Sequence, residues 1–427
     1  MYVKILKTII FMQKEFEMNI LKGNAVVGQS GGPTAAINAT LAGVIVGAKA
    51  LHSEGVIDTL YGMRNGIEGF LEERLVDLLD RFKSDEDVEL LKNTPAAALG
   101  SCRKKLKSYD VDGETYAKLL SIFKKYNIRY FFYIGGNDSM DTVLKLSEYA
   151  NAHDYEMRVV GVPKTIDNDL AATDHTPGFG SAAKFVAATV KEILADIDVY
   201  TMKAVTIVEI MGRDAGWLTA SAALAGVGAD RAPSLIYLPE KVFYKEKFLS
   251  DVKKALEEKN AVLVAASEGI RFEDGSYVGE DSSGKLDAFG HKQLSGVGKV
   301  LEGIVKAEIG CKVRSIELNL PQRCAAHLAS KTDIDESVKI GAAAVRAAAD
   351  GNSGVMMIFV RADGEYSVTI EKADISKIAN AVRAVPDEYI NDECNGITES
   401  GIDYLLPLIS GEVTPVYENG LPKHIII

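Results

Sequence analysis

The alternation of short apolar runs with longer helical patterns constrains this chain more than any other feature. Apolar runs typical of buried strands occupy residues 24–28, 130–134, 158–162, 204–210, 261–266 and 354–360, and helical patterns follow the first two at 35–51 and about 140–151. Strands that alternate with helices predict parallel sheets, with ligand-binding loops at the carboxyl ends of the strands. Most of the polar motifs in the chain come directly after such a run.

Size and charge limit the class of protein. The 427 residues exceed what one hydrophobic core usually holds, so two or three domains are expected. The formal net charge of −12 and the pI near 5.2 argue against nucleic acid or an anionic membrane as a partner. An acidic protein that binds phosphates must therefore concentrate its cations at one place.

The chain shows no targeting signal, which makes the cytoplasm the expected compartment. Residues 1–22 hold one short apolar run that Lys7 interrupts, too short to cross a bilayer. Met1 and Met18 are both candidate starts. The cysteines lack the spacing of a zinc site, which predicts reduced, buried thiols. They are Cys102, Cys311, Cys324 and Cys394.

Residues 163–169, with the sequence PKTIDND, place a cation, a hydroxyl and two carboxylates directly after an apolar run. If the backbone is extended there, Asp167 and Asp169 lie on the same side of it. One carboxylate then suits a general base and the other a metal-bound phosphate, a division typical of phosphoryl transfer. Asp-Asn-Asp is also a common turn sequence, so a purely structural interpretation stays open at this point.

Two glycine-containing loops are candidate anion sites. Residues 28–34, with the sequence GQSGGPT, lie between a predicted strand and a predicted helix, where backbone amides can hold an anion. A tight strand-to-helix turn explains the same glycines. Residues 135–139, with the sequence GGNDS, have the same placement, and Asp138 adds a carboxylate suited to Mg²⁺.

Arginines near the ends of later segments are candidate phosphate ligands, because the guanidinium group matches the geometry of phosphate oxygens. A carboxylate in the same region suits sugar hydroxyls. These residues are Arg103, Arg213, Arg314 and Arg323, with Glu268 as the carboxylate. Each arginine alone is equally typical of a surface position, and the basic run 103–105 is equally typical of a solvated patch.

Taken together, the motifs resemble the phosphofructokinase family over residues 24–380. The ordered set is SGGP, GGNDS, PKTIDND, MGRDAGW, SEG and PQR. ATP-using members carry glycine at the positions of Lys164 and Asp138, so this chain resembles the pyrophosphate-dependent branch. An extra cation suits pyrophosphate, which lacks an adenosine group, and Asp138 would repel the α-phosphate of a nucleotide.

The resemblance implies two Rossmann-like α/β sandwich domains of the phosphofructokinase type, with the active site in the cleft between them. Residues 1–22 are then an N-terminal extension and 381–427 a C-terminal segment. Residues 23–172, completed by about 324–380, form the donor-binding domain, and residues 173–323 the sugar-phosphate domain. The glycine- and serine-rich stretch 271–298 is a predicted flexible connection or lid.

The resemblance also assigns roles. Asp167 is the general base toward the 1-hydroxyl of fructose 6-phosphate, and Lys164 and Asp138 complete the catalytic set. Gly32, Arg103 and Lys164 bind the pyrophosphate. Mg²⁺ lies near Asn137, Asp138 and Asp169. The predicted sugar-phosphate ligands are Thr165, Ile166, Asp167, Met211, Gly212, Arg213, Glu268, Arg314, Leu320 and Arg323. Arg314 serves a neighbouring subunit of a homodimer or homotetramer.

The chain departs from the family pattern at several positions. Asn137 replaces an acidic residue of the metal motif, and Leu320 replaces a histidine of the bacterial ATP-dependent members. Their second inter-subunit arginine corresponds to Ala204, beside Lys203. Two arginines that bind a phosphorylated effector in those members correspond to Ala42 and Val46, which predicts the absence of effector regulation.

The function expected from the resemblance is reversible transfer of a phosphoryl group from pyrophosphate to fructose 6-phosphate. Two alternatives remain at this stage. One is the same reaction with ATP. The other is a non-catalytic subunit that binds a sugar phosphate, against which Asp167 and Asp169 argue, because such a subunit needs no base.

Overall fold

Most of the chain is built around two β-sheets. This computed structural model describes residues 20–280, 294, 296–379 and 381–427. The strands are β1 Gly23–Gln29, β2 Ile57–Met63, β3 Leu75–Asp77, β4 Ile128–Gly135, β5 Arg158–Pro163, β6 Ala204–Ile210, β7 Leu235–Tyr237, β8 Ala261–Ser267, β9 Lys312–Glu317, β10 Val355–Arg361, β11 Val368–Asp374, β12 Tyr417–Glu418 and β13 Leu421–Pro422. The last two form a separate hairpin.

Helices connect most of these strands. They are α1 Ile37–Ser53, α2 Gly66–Leu71, α3 Leu78–Arg81, α4 Asp85–Lys92, α5 Gly113–Lys125, α6 Asn137–Ala152, α7 Phe179–Ile197, α8 Trp217–Ala220, α9 Lys245–Glu258, α10 Val297–Glu308, α11 Lys331–Ala349 and α12 Glu399–Leu405. None of the helices in the described ranges is both long and apolar enough to cross a membrane.

The first sheet has the strand order β11-β10-β5-β4-β1-β2-β3. All pairs are parallel except the two at the edges, β10 with β11 and β2 with β3. Both faces are covered, which explains the unbroken apolar runs of the central strands. In β1, Ala25 and Val27 pack into the core that includes α1 and α11, whereas Val26 packs into the core that includes α5 and α6.

Helices α1 and α11 cross in close backbone contact. A Cβ atom on Gly43 would overlap the carbonyl oxygen of Val338, and one on Gly341 would overlap that of Thr40. The uncharged stretch 39–48 therefore packs on α11 and the first sheet. This contact fixes the helix that follows the 28–34 loop.

The second sheet has the order β7-β8-β6-β9, with every pair parallel. Helix α7 packs in the core on one face, and helices α9 and α10 pack in the core on the other. Strands β10 and β11 return to the first sheet after the chain has built the second. The exact domain boundaries stay a prediction.

The predicted fold class is confirmed, and all six predicted strands are present with ends shifted by a few residues. The sequence interpretation missed β2, β3, β7, β9, β11, β12 and β13, which are short or carry polar residues. The four cysteines are free, but only Cys102 is buried and Cys324 is exposed, so the prediction of buried thiols was wrong for the others. Residues 1–19 and half of the predicted lid, 281–293 and 295, lie outside the described residues.

Candidate active site

The carboxyl ends of strands from both sheets meet at one cleft of about 520 Å³. Loops after β1, β4 and β5 line it from the first sheet, and loops after β6 and β8 line it from the second. In α/β proteins this is the usual position of a ligand site. The lining residues are Ser30, Gly31, Gly32, Pro33, Arg103, Lys104, Lys105, Gly136, Asn137, Asp138, Ser139, Lys164, Thr165, Ile166, Asp167, Asp169, Met211, Arg213, Asp214, Ala215, Glu268, Arg323 and Val382.

The loop after β1 is held from both sides. The Ser101 hydroxyl donates a hydrogen bond to the Gly31 carbonyl oxygen at 2.6 Å, and Lys164 Nζ donates to the Gly32 carbonyl oxygen at 2.6 Å. Gly31 has φ +76°, a conformation that glycine adopts without the strain of a side chain. The loop therefore turns sharply at Gly31, and the Lys164 ammonium lies in direct contact with its backbone at Gly32.

Cations converge on this loop. A Cβ atom on Gly32 would lie 3.0 Å from Arg323 Nη1, so that guanidinium lies against the loop. Arg103 is close enough to Arg323 to help lower the pKa of its guanidinium, after the larger effect of burial. The acidic chain thus gathers Arg103, Lys164 and Arg323 at one end of the cleft, as its charge balance led us to expect of a phosphate-binding protein.

Lys164 is 2% exposed. Burial lowers the pKa of its ammonium group to about 8, and the positive charge of Arg323 acts in the same direction, whereas Asp167 opposes the shift. A buried cation attracts anions strongly, because little water screens it. Lys164 is therefore suited to binding a multiply charged phosphate.

The two carboxylates of the PKTIDND loop share the cleft, although its backbone is not extended. Asn168 between them has φ 55°, in the left-handed region, which corrects the extended geometry considered from the sequence. Asp167 is held by Thr165, whose hydroxyl accepts its N–H at 3.1 Å and donates to its Oδ2 at 3.3 Å. Burial raises the pKa of Asp167, and burial together with the charge of Asp167 raises the pKa of Asp169 to about 7.

The residues near Asp169 fit a magnesium ion. Asn137 Nδ2 donates to Asp169 Oδ2 at 3.3 Å, and the buried Asn137 Oδ1 has no hydrogen-bond partner among the described residues. Within the ranges that the structure covers, no group of three His, Cys, Asp or Glu side chains is close enough to hold a metal alone. Mg²⁺ usually takes only one or two carboxylates and completes its shell with substrate phosphates and water, so this donor set suits it.

Asp138 faces a cation rather than the other carboxylates. Lys105 Nζ lies 2.9 Å from Asp138 Oδ1, and both side chains are partly exposed at the cleft. The pair joins the segment after Leu99 to the N-terminus of α6. This ion pair places one positive and one negative charge at the edge of the cleft.

The opposite wall is built on glycines. The Gly212 N–H donates to Glu268 Oε1 at 3.3 Å, and Gly212 has φ 138°. A Cβ atom on Gly269 would overlap the Arg213 carbonyl oxygen, so only glycine permits the approach of the two loops that carry Arg213 and Glu268. Burial raises the pKa of Glu268 to about 7. A guanidinium beside a carboxyl of this kind suits a sugar phosphate.

Comparison with known proteins identifies the family. The phosphofructokinase family matches residues 24–348. The chain belongs to the phosphofructokinase family. It is 42% identical to the pyrophosphate–fructose 6-phosphate 1-phosphotransferase of Halomonas elongata, over 94% of this chain and 95% of the relative. It is 44% identical to the enzyme of the same name from Xanthomonas campestris pv. campestris, over 94% and 96% of the two chains.

The fold of this chain is also similar to that of a solved phosphofructokinase structure. The crystal structure of a pyrophosphate-dependent phosphofructokinase from Nitrosospira multiformis superposes with a TM-score of 0.85 at 37% identity, and covers 95% of this chain and 96% of that one. The likeness thus extends beyond the matched 24–348 into the C-terminal part of the chain.

The structure brings most of the predicted phosphofructokinase site residues into the cleft. Those that line it are Gly32, Arg103, Asn137, Asp138, Lys164, Thr165, Ile166, Asp167, Asp169, Met211, Arg213, Glu268 and Arg323. Gly212 lies behind the wall, and Arg314 and Leu320 are exposed outside it. The roles of all these residues stay predictions, including that of Arg314, which was expected to serve a neighbouring subunit.

The sequence interpretation missed other residues that line the phosphofructokinase cleft or support its wall. Lys105 lies in the basic run 103–105, which was otherwise interpreted as a solvated patch. Gln322, inside the PQR motif, accepts the Met211 N–H at 3.1 Å. Asp214 and Val382 also line the cleft. The motifs MGRDAGW and PQR contain a signal for Asp214 and Gln322, but no pattern in the sequence points to Val382.

Proposed function

We propose that this chain catalyses the reversible transfer of a phosphoryl group from pyrophosphate to the 1-hydroxyl of fructose 6-phosphate. The products are phosphate and fructose 1,6-bisphosphate. The observation that carries the proposal is the buried ammonium of Lys164, 2.6 Å from the Gly32 carbonyl oxygen in the loop after β1. It fixes a cation where a donor phosphate would lie, in a chain whose relatives bear the corresponding name.

Asp167 is the proposed general base. Its Oδ2 is engaged by Thr165, which leaves Oδ1 to take the proton of the 1-hydroxyl. The hydroxyl oxygen attacks the terminal phosphorus of pyrophosphate, a new P–O bond forms, and the bond to the bridging oxygen breaks, releasing phosphate. Burial raises the pKa of Asp167, and a carboxylate with a raised pKa is a stronger base toward the 1-hydroxyl.

The donor is held by the cations at its end of the cleft. Lys164, Arg103 and Arg323 neutralise the pyrophosphate and the phosphate that leaves, which is the main contribution a protein makes to phosphoryl transfer. Asn137 and Asp169 would hold Mg²⁺, which supplies further neutralisation of the phosphate oxygens when bound. Arg213 and Glu268 bind the phosphate and hydroxyls of the sugar, and thereby orient the 1-hydroxyl.

The donor is the point at which the two enzymatic alternatives differ. The donor half of the cleft is lined by glycines, cations and carboxylates, and the Lys105–Asp138 pair lies across it. A carboxylate there repels the α-phosphate of ATP, whereas pyrophosphate has only two phosphate groups and places none at that position. The arrangement therefore favours pyrophosphate.

A donor assay tests the proposal. The purified protein is incubated with Mg²⁺, fructose 6-phosphate and either pyrophosphate or ATP, and fructose 1,6-bisphosphate is measured. We expect faster turnover with pyrophosphate, and formation of pyrophosphate when phosphate and fructose 1,6-bisphosphate are supplied. Faster turnover with ATP would overturn the donor assignment, and binding of fructose 6-phosphate without turnover would favour the non-catalytic alternative.

The proposed assembly is a homodimer or homotetramer in which Arg314 completes a neighbour's site. Arg314 is exposed on β9, outside the cleft of its own chain, near the exposed side chains of Tyr200 and Met202. Mixing Arg314→Ala with Asp167→Ser subunits tests this, because a hybrid would contain one site with both residues intact. Activity above that of either variant alone is expected, and no recovery after confirmed subunit exchange would refute the role.

A further inference from the structure

A segment beyond residue 348, where the family match ends, contacts the loop that carries both cleft carboxylates. Val382 pairs with Leu170 as an antiparallel bridge and lines the cleft. The Arg383 N–H donates to the Asp169 carbonyl oxygen at 2.8 Å. The C-terminal segment is thus bonded directly to the backbone of Asp169.

Asn168, between the two carboxylates, is anchored at both ends of its side chain. It is fully buried, its Nδ2 donates to the Tyr404 hydroxyl at 3.1 Å, and its Oδ1 accepts the Thr176 N–H at 3.0 Å. Asparagine adopts a left-handed backbone more readily than most residues with a side chain, and at Asn168 contacts to both polar ends of the side chain hold it there. Tyr404 and Thr176 supply those contacts.

Tyr404 is itself held by further bonds. Its hydroxyl donates to the Asp174 carbonyl oxygen at 2.6 Å and accepts from Arg383 Nη2 at 3.3 Å. The Arg383 guanidinium lies 4.4 Å from the ring centroid of Trp217, whose Nε1 donates to the Arg383 carbonyl oxygen at 3.0 Å. The Tyr404 hydroxyl on α12 therefore bonds two points of the segment after β5, Asn168 and Asp174, and its ring packs in the core of the second sheet.

We propose that Tyr404 and Arg383 are positioning residues for the reaction and act through Asn168 and the backbone of Asp169. They fix the left-handed turn that directs Asp167 and Asp169 into the same cleft. The expected effect on turnover rests on the proposed function. The expected effect on the stability of the turn rests only on the contacts. Displacement of a reacting group by about 1 Å can cost on the order of a hundredfold in rate, so this support matters for turnover.

The test compares two tyrosine-to-phenylalanine variants. Tyr404→Phe removes the hydroxyl that binds Asn168 and Asp174. Tyr155→Phe is the matched control, because its buried hydroxyl also shares its proton with backbone carbonyl oxygens, those of Phe123 at 3.0 Å and Ile128 at 2.7 Å, within a core of the first sheet. Both variants lose similar bonds, so both should lose similar stability.

We expect Tyr404→Phe to lower kcat about ten- to a hundredfold, with KM for both substrates changed less than about twofold. Amide hydrogen exchange should accelerate at Thr176 and Arg383. Tyr155→Phe should change neither kcat nor exchange at those two amides. An unchanged kcat in Tyr404→Phe, or an equal loss in the control, would overturn the positioning role.

A second variant removes the Asn168–Tyr404 contact from the other partner, so that a folding defect in Tyr404→Phe cannot be mistaken for the loss of positioning. Asn168→Gly retains access to the left-handed backbone but loses both side-chain anchors. It should reproduce the kcat loss and the faster exchange at Thr176. If wild-type protein has no phosphotransferase activity, the proposed function fails, and unchanged exchange in both variants would then refute the positioning contacts on their own.

Discussion

Lys164 Nζ donates a 2.6 Å hydrogen bond to the Gly32 carbonyl oxygen, which joins the catalytic loop after β5 to the glycine loop after β1. The ammonium is buried, and that burial lowers its pKa to about 8. Between pH 8 and the ordinary value of 10.5 the unfolded chain binds this proton and the folded chain does not. The cost of burying the charge is therefore present below pH 8 and fades above it.

Lys164 should give pyrophosphate use a characteristic pH dependence. The value of kcat/KM for pyrophosphate is expected to fall as the pH rises through about 8, because the free enzyme then loses a donor-binding cation. Lys164→Gly should lower this value strongly at pH 7 while leaving fructose 6-phosphate affinity nearly intact. The ratio of wild type to variant cancels the titration of pyrophosphate itself, and a ratio independent of pH would exclude Lys164.

Asp167→Ser should reduce turnover at least about a hundredfold, as expected for loss of a general base. Fructose 6-phosphate binding, measured by calorimetry, should remain nearly unchanged, because Arg213 and Glu268 supply the contacts proposed for the sugar. Thr165→Val is the companion variant, since it removes the hydroxyl that holds Asp167 Oδ2 and should cost less than Asp167→Ser. Turnover close to wild type in Asp167→Ser would remove that residue from its role.

The Lys105–Asp138 ion pair should control donor choice. Asp138→Gly is expected to permit measurable turnover with ATP, because it removes the carboxylate that would repel a nucleotide. Lys105→Ala should raise KM for pyrophosphate by roughly three- to tenfold, through loss of one charge contact and exposure of an unpaired Asp138. Lys107→Ala, an exposed lysine outside the cleft lining, is the control and should leave KM unchanged. Equal effects of the two lysine variants would contradict this explanation.

Asp169→Asn should stabilise the ligand-free protein while abolishing most activity. The pKa of Asp169 is raised to about 7 from an ordinary 3.8, so its contribution to stability falls as the pH rises through that range. At pH 8 the variant should unfold with a free energy about 1–2 kcal/mol higher than wild type, a difference that shrinks toward pH 4. Mg²⁺ with pyrophosphate should raise the Tm of wild type more than that of the variant. A lower Tm for the variant at pH 8 would show that Asp169 is not under electrostatic strain.

Kinetics in fructose 6-phosphate should be hyperbolic and insensitive to ADP and phosphoenolpyruvate. A phosphorylated effector needs fixed cations, and residues 39–48 contain none. Ala42 is fully buried, and the helix face near it packs against α11. Initial rates with and without each compound test this. A Hill coefficient well above one that ADP abolishes would require an effector site elsewhere.

The central strands were predictable because burial on both faces leaves an unbroken apolar run, as in β4 and β5. Edge strands lack that signal. Strand β9 has the sequence KVRSIE and contains only exposed and half-buried positions, and the same is true of β11. Strands β3 and β7 have three residues each, too few to show any period. Strand order was not predictable from pattern, because it depends on which distant runs pair.

Most of the cleft followed from motifs, since each motif sits at the end of a strand and the parallel topology gathers those ends. Contacts between residues that are far apart in the chain could not be predicted from the sequence. Nothing in the order of residues indicates that Lys105 meets Asp138, or that Tyr404 meets Asn168 across 236 positions. The extended backbone considered for residues 167–169 failed for the same reason, because tertiary contacts of Asn168 decide its conformation.

Trp217 is the single tryptophan of the chain, and it is fully buried beneath the Arg383 guanidinium. Its ring lies 5.2 Å from that of Tyr404 and 6.2 Å from that of Tyr389, between centroids. All indole emission of this protein therefore originates beside the segment that holds the catalytic loop. Intrinsic fluorescence should therefore report rearrangement of that segment when substrates bind, without any label.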